Sequence, residues 1–148
     1  MSNEQDMNED AWAELPLALS KASAGLREAR DKIEFRAVSK QCFNVLLMLA
    51  RMAYDPDVHF EPDAVDEDKL LRMDPLRAEV NHKLKPVIRH LFPTSKQTSP
   101  RKFVLHAMKH AVKLQLKKTD TYSDAAQCLA STTAVVNMVT VAMGRRME

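Results

Sequence analysis

Glycine is almost missing: Gly25 and Gly144 are the only two among 148 residues. Hairpins, bulges and phosphate-cradling loops depend on glycine's backbone freedom, so its scarcity points away from strand-rich folds and nucleotide-binding loops. Two cysteines, Cys42 and Cys128, are too few for a disulfide framework. Both fall inside apolar helical patterns and are read as reduced core thiols. The acidic start "MSNEQDMNEDAWAEL" has no basic stretch followed by an apolar run, so a secretory signal is not expected. A reduced, cytoplasmic setting follows. No Ser-His-Asp, Cys-His or paired-carboxylate arrangement can be placed by spacing. That favours binding or assembly over catalysis, and no cofactor is expected.

Charge is also missing in one place. From Ala125 to Gly144 there are twenty residues without a charged side chain. The length suits a bilayer, but Gln127, Ser131, Thr132, Thr133, Asn137 and Thr140 interrupt it. A buried core helix or helix–helix interface is expected there, rather than a membrane anchor.

What is present is helical periodicity. A chain of this length buries roughly 70% of its unfolded surface as one domain. The spacing predicts an all-α fold, a compact five- or six-helix bundle over residues 11–148, preceded by a disordered acidic tail at 1–10. Leu15, Leu19, Ala22, Leu26, Ala29 and Ile33 alternate four and three apart as one stripe, with Pro16 suited to the first turn. Val38, Cys42, Val45, Leu49 and Met52 follow after a step of five, which implies two helices meeting near 33–36 or one long helix with a shifted face. "CFNVLLMLARMAY" is apolar almost all round and should be the central helix. "DPDVHFEPDAVDED" reads as a surface loop. Its Asp55, Asp57, His59, Glu61 and Asp63 alternate, but the EF-hand pattern and its glycine are missing, so a solvated or docking loop is preferred to a cation site.

Asp74-Pro75 signals a helix start, and Leu76, Val80, Leu84, Val87 and Leu91 carry that helix to about Phe92. Pro86 is expected to kink or divide it. "PTSKQTSP" reads as a connector, with Ser99-Pro100 opening the next helix. Asp120 or Ser123 is the expected cap of the last one, whose stripe is Ala125, Leu129, Thr132, Val136, Val139 and Met143. Gly144 is placed to end it.

The formal net charge of +2 conceals segregation. Residues 1–14 hold five acids and residues 55–68 hold seven, with no Lys or Arg in either; residues 69–118 hold thirteen Lys or Arg against two acids. In "RKFVLHAMKHAVKLQLKK", Val104, Met108, Ala111 and Leu114 form an inward stripe. Lys102, His106, Lys109, Lys113 and Lys117 then share another face. Like charges at i,i+4 repel by a few tenths of a kcal/mol, roughly, per pair, and no acid is interleaved to relieve them. With Arg101 on the same helix and Arg72, Arg77, Lys83, Lys85 and Arg89 in the preceding segment, these cations are the candidate contacts for a nucleic-acid backbone, RNA or single-stranded DNA. Phe92 and Phe103, the only aromatics in that region, are assigned to apolar positions rather than to a stacking platform. His106 and His110 have zinc-like i,i+4 spacing, but "HAMKH" lacks the Glu of HExxH and carries Lys109 between them. They are read as surface histidines, and no metal is expected.

Over residues 36–143, "FRAVSKQCFNVLLMLA" is followed by "LRAEVNHKLKPVIRHLF", a basic helix and an apolar closing helix. This order resembles the small helical subunit of type III CRISPR effector complexes. The resemblance implies backbone contacts to guide or target RNA from Arg36, Lys85, Arg89 and Lys113, with neighbouring copies packed side by side. The expected role is therefore a non-catalytic, nucleic-acid-contacting subunit of a larger assembly. The alternative is a phage- or host-encoded protein–protein adaptor or inhibitor acting through acidic segments or Met-rich apolar faces.

Overall fold

The computed structural model describes residues 2–60, 74–116 and 120–144. Among them are six helices and no strand: α1 Ser2–Glu28, α2 Lys32–Ala53, α3 Pro56–His59, α4 Pro75–Leu91, α5 Thr94–Leu116 and α6 Tyr122–Ala142. The expected all-α bundle is observed. Helix α1 reaches back through the segment read as an acidic tail, and its first buried side chain among those described is Trp12.

The α1–α2 junction lies at residues 29–31, slightly ahead of the expected site. Asp31 accepts a hydrogen bond from the Glu34 N–H at 2.8 Å and caps α2, while the Arg30 guanidinium donates to the Arg27 and Ala29 carbonyls. Each side of the break thereby satisfies backbone groups that a helix end leaves orphaned. Ile33, placed on the α1 stripe by spacing, belongs instead to the first turn of α2 and is 77% exposed. The turn at Arg30-Asp31 resets the phase of the helix, so the earlier stripe no longer applies to it.

Helix α2 is the hub. It packs against α1, α4, α5 and α6, and Val38, Cys42, Val45, Leu46, Leu49 and Ala50 are all but inaccessible to solvent. Each large apolar side chain so buried contributes about 2 kcal/mol. The main core joins α2 to Leu15 of α1, Leu84 and Ile88 of α4, Val104 and Met108 of α5, and Val135, Val136 and Val139 of α6. A smaller cluster encloses Cys42 and Cys128 with Ala22, Leu26, Val38 and Ala125. Both cysteines are free and buried. The hydrogen bond shared with Cys42, and burial, hold the Cys128 thiol above the ordinary thiol range.

Helix α4 runs through Pro86 without dividing. An interior proline costs about 3 kcal/mol, but burial of Val80, Leu84, Val87 and Ile88 on both sides of it offsets that cost. Helix α5 starts at Thr94, six residues ahead of Pro100, so the expected connector is largely helical. The break lies at Phe92-Pro93, where Phe92 leaves helical geometry (φ −124°, ψ 75°), as a residue before proline tends to. The cap of α6 is Thr121, which accepts from the Asp124 N–H. Asp120 is occupied elsewhere, by Arg36. Gly144 sits at φ +77°, the left-handed conformation that ends helices without a Cβ penalty. By length and composition α6 is apolar enough to cross a membrane. In the fold it lies against α2 and α5, with Ala125, Cys128, Thr132, Val135, Val136, Val139 and Thr140 buried.

Helices α2 and α4 are also tied by ions. Arg51 grips Glu79 with two hydrogen bonds, at 2.7 and 3.0 Å, and Lys83 adds a third at 3.0 Å. Arg51, then Lys83, lowers the Glu79 carboxyl to a pKa of about 2. A depressed carboxyl stabilises the fold above its ordinary range, near 4.5, and the contribution disappears as pH falls toward 2. Glu79→Gln should therefore flatten the fall in unfolding free energy measured by urea titration between pH 5 and pH 2. An unchanged slope in that variant would show the triad to be energetically silent.

Candidate nucleic-acid interface

Helix α5 presents two faces. Val104, Met108, Ala111, Val112 and Leu114 are buried against the neighbouring helices, with Leu105 half-buried beside them. Their burial leaves Lys102, His106, Lys109 and Lys113 exposed on the opposite side, in the row that the spacing predicts. At 1.5 Å per residue the ridge from Lys102 to Lys113 is about 16 Å long. No acid occurs within residues 101–116. Among the described residues Lys102, Lys109 and Lys113 have no ion-pair partner.

The cations of α4 are disposed differently. Arg77, Lys83, Lys85 and Arg89 are each half-buried. Lys83 is held by Glu79 and sits 6.0 Å from the Tyr54 ring centroid. Lys85 and Arg89 each engage another group, and the Nε of Arg77 is enclosed without a hydrogen-bond partner among the described residues. Arg101, on α5, is also half-buried. Of the sequence candidates, then, the structure gathers Lys102, His106, Lys109 and Lys113 onto one exposed face. Arg72 and Lys117 lie outside the described residues. Arg36, implied by the family resemblance, spends its guanidinium on Asp120 at 2.7–2.8 Å.

One assignment is overturned. Phe92 is buried as expected, but Phe103 is 56% exposed. It lies one position ahead of Val104, which turns it out of the inward stripe by a rotation of about 100° and onto the outer surface with His106 and His110. His110 is exposed, and its Nε2 is 3.2 Å from Gln127 Oε1 on α6. The two histidines gain no third ligand: among the described residues no group of three or more His, Cys, Asp or Glu is arranged to hold a metal.

A second cluster was not visible in the sequence because three elements supply it. His59, at the end of α3, is buried; its ring meets His90 of α4 edge-on at 5.2 Å, and Tyr54 lies 5.9 Å from His59 and 6.2 Å from His82. His59 Nδ1 accepts the Asp55 N–H at 2.9 Å, closing the α3 turn, while the Asp55 carboxylate caps it through the Asp57 N–H. In the alternating acidic loop, Asp55 and His59 are thus structural; Glu61 and Asp63 lie outside the described residues. No family model, curated protein or solved structure matches this chain.

Burial, and then the neighbouring His90, push the His59 pKa below the ordinary histidine value of 6.5. The neutral ring that accepts the Asp55 N–H is therefore fully present above pH 6.5 and is lost as pH falls through the depressed midpoint. An NMR titration should place the His59 midpoint below 6.5, and His90→Ala should raise it. A midpoint at or above 6.5 in the native chain would contradict this packing.

Proposed function

We propose that this chain is a non-catalytic helical subunit that contacts a nucleic-acid backbone, RNA foremost, through the outer face of α5 within a larger assembly. The observation that carries the reading is the exposed Lys102–Lys109–Lys113 row, free of acids and of ion pairs among the described residues. Each lysine that neutralises a phosphate releases condensed counterions, so a row of this kind gains affinity from a polyanion without reading bases. The resemblance to the small helical subunit of type III CRISPR effector complexes supports the assembly half of the reading, with copies side by side along an RNA. Of the four contacts it implies, Lys113 stands in the exposed row. The free thiols Cys42 and Cys128 suit a cytoplasmic protein.

A second reading, a protein-binding adaptor, draws on Val58, Phe60 and Leu76, which are 51%, 58% and 45% exposed beside the acidic segment. The Met-rich route to such a role has less support, since Met48, Met52, Met138 and Met143 pack against the main core and Met108 is inside it. Recovery of one defined protein partner after nuclease treatment, undiminished by Lys109→Glu with Lys113→Glu, would favour the adaptor.

For the leading reading, binding of labelled single strands should show log Kobs falling with log salt at a slope of about −2 for three lysine–phosphate contacts. Lys109→Glu with Lys113→Glu should abolish most of that binding and leave the circular dichroism of the fold unchanged. Absent or salt-independent binding by the native chain would refute the proposal.

A further inference from the structure

Resting on that reading, we infer that Phe103 makes the α5 face selective for single-stranded nucleic acid, by stacking an unpaired base beside the lysine row. A solitary exposed phenylalanine is common on protein surfaces and by itself means little. Its surroundings distinguish this one. Phe103 is 56% exposed, directly follows Lys102, and shares the outer surface with His106 and His110, three and seven residues on. The three rings span about 10 Å along the helix axis, and Lys102, Lys109 and Lys113 lie along the same exposed surface.

This combination restricts the occupant. A purely apolar partner docking on Phe103 would desolvate lysines that have no ion-pair partner among the described residues, which is costly. A bare phosphate backbone would satisfy the lysines and leave the ring wet. A single strand satisfies both at once: its phosphates meet the lysines, and its bases offer π-faces to Phe103 and the flanking imidazoles. Duplex bases are already stacked on one another, so a duplex engages the lysines alone. The gain from the ring therefore falls entirely on the single-stranded form.

The test uses the full chain, fluorescence anisotropy, and three probes: labelled oligo(U), labelled oligo(dT) and a duplex of equal length, at low salt. Phe103→Ala should weaken both single strands about tenfold, within the range that base–aromatic stacking supplies, and leave duplex affinity within about twofold. Phe103→Trp should retain single-strand affinity, and its added fluorescence over that of buried Trp12 should be quenched by single strands and not by duplex. Unchanged single-strand affinity in Phe103→Ala, or an equal loss on duplex, would overturn the inference. If Lys109→Glu with Lys113→Glu still abolishes binding in that case, the functional reading stands without it. Failure of the native chain to bind any of the probes would overturn both.

Discussion

The fold depends on covering α2. A helix that is apolar almost all round must be enclosed by others, and here α1, α4, α5 and α6 all pack on it. That requirement orients the remaining helices. Helix α5 must turn Val104, Met108 and Ala111 inward, and the 3.6-residue period then sends Lys102, Lys109 and Lys113 outward whatever their mutual repulsion. The basic ridge is in this sense a by-product of core geometry. Its sequence nevertheless omits the acids that would relieve it, and the proposed polyanion contact rests on that omission.

The same enclosure divides the cations into two kinds. On α4 the long side chains of Arg77, Lys83, Lys85 and Arg89 are half-buried, and Lys83 ends in the Arg51–Glu79 network. There the positive charge contributes to holding helices together. On α5 the Lys102, Lys109 and Lys113 side chains are exposed. Counting the charges of residues 69–118 together overstates the exposed basic surface, because Arg77, Lys83, Lys85 and Arg89 are half-buried whereas Lys102, Lys109 and Lys113 are exposed.

Periodicity made the bundle legible, along with the central place of α2, the inward stripe of α5 and the terminal Gly144, since each is a local pattern of apolar spacing or backbone freedom. Helix starts were less so. Ser99-Pro100 carries a local cap signal, yet α5 begins at Thr94, just after Pro93, and runs on through Pro100. Contacts between distant residues left no local trace at all. Arg36 and Asp120 pair across 84 residues, and the His59, His90 and Tyr54 rings meet only when α2, α3 and α4 are assembled. Phe103 lies between these cases. Its place one residue off the inward stripe was readable, but its apolar character argued for the core, and geometry prevailed over character.

Protection of individual lysines tests the ridge most directly. Lysine acetylation read by mass spectrometry, with and without saturating oligo(U), reports each exposed amine separately. Lys102, Lys109 and Lys113 should become protected together, while the exposed Lys21, Lys32 and Lys40 of α1 and α2 keep their reactivity. Protection centred on Lys21, Lys32 and Lys40, with the α5 lysines as reactive as before, would place the polyanion on another face and contradict this account.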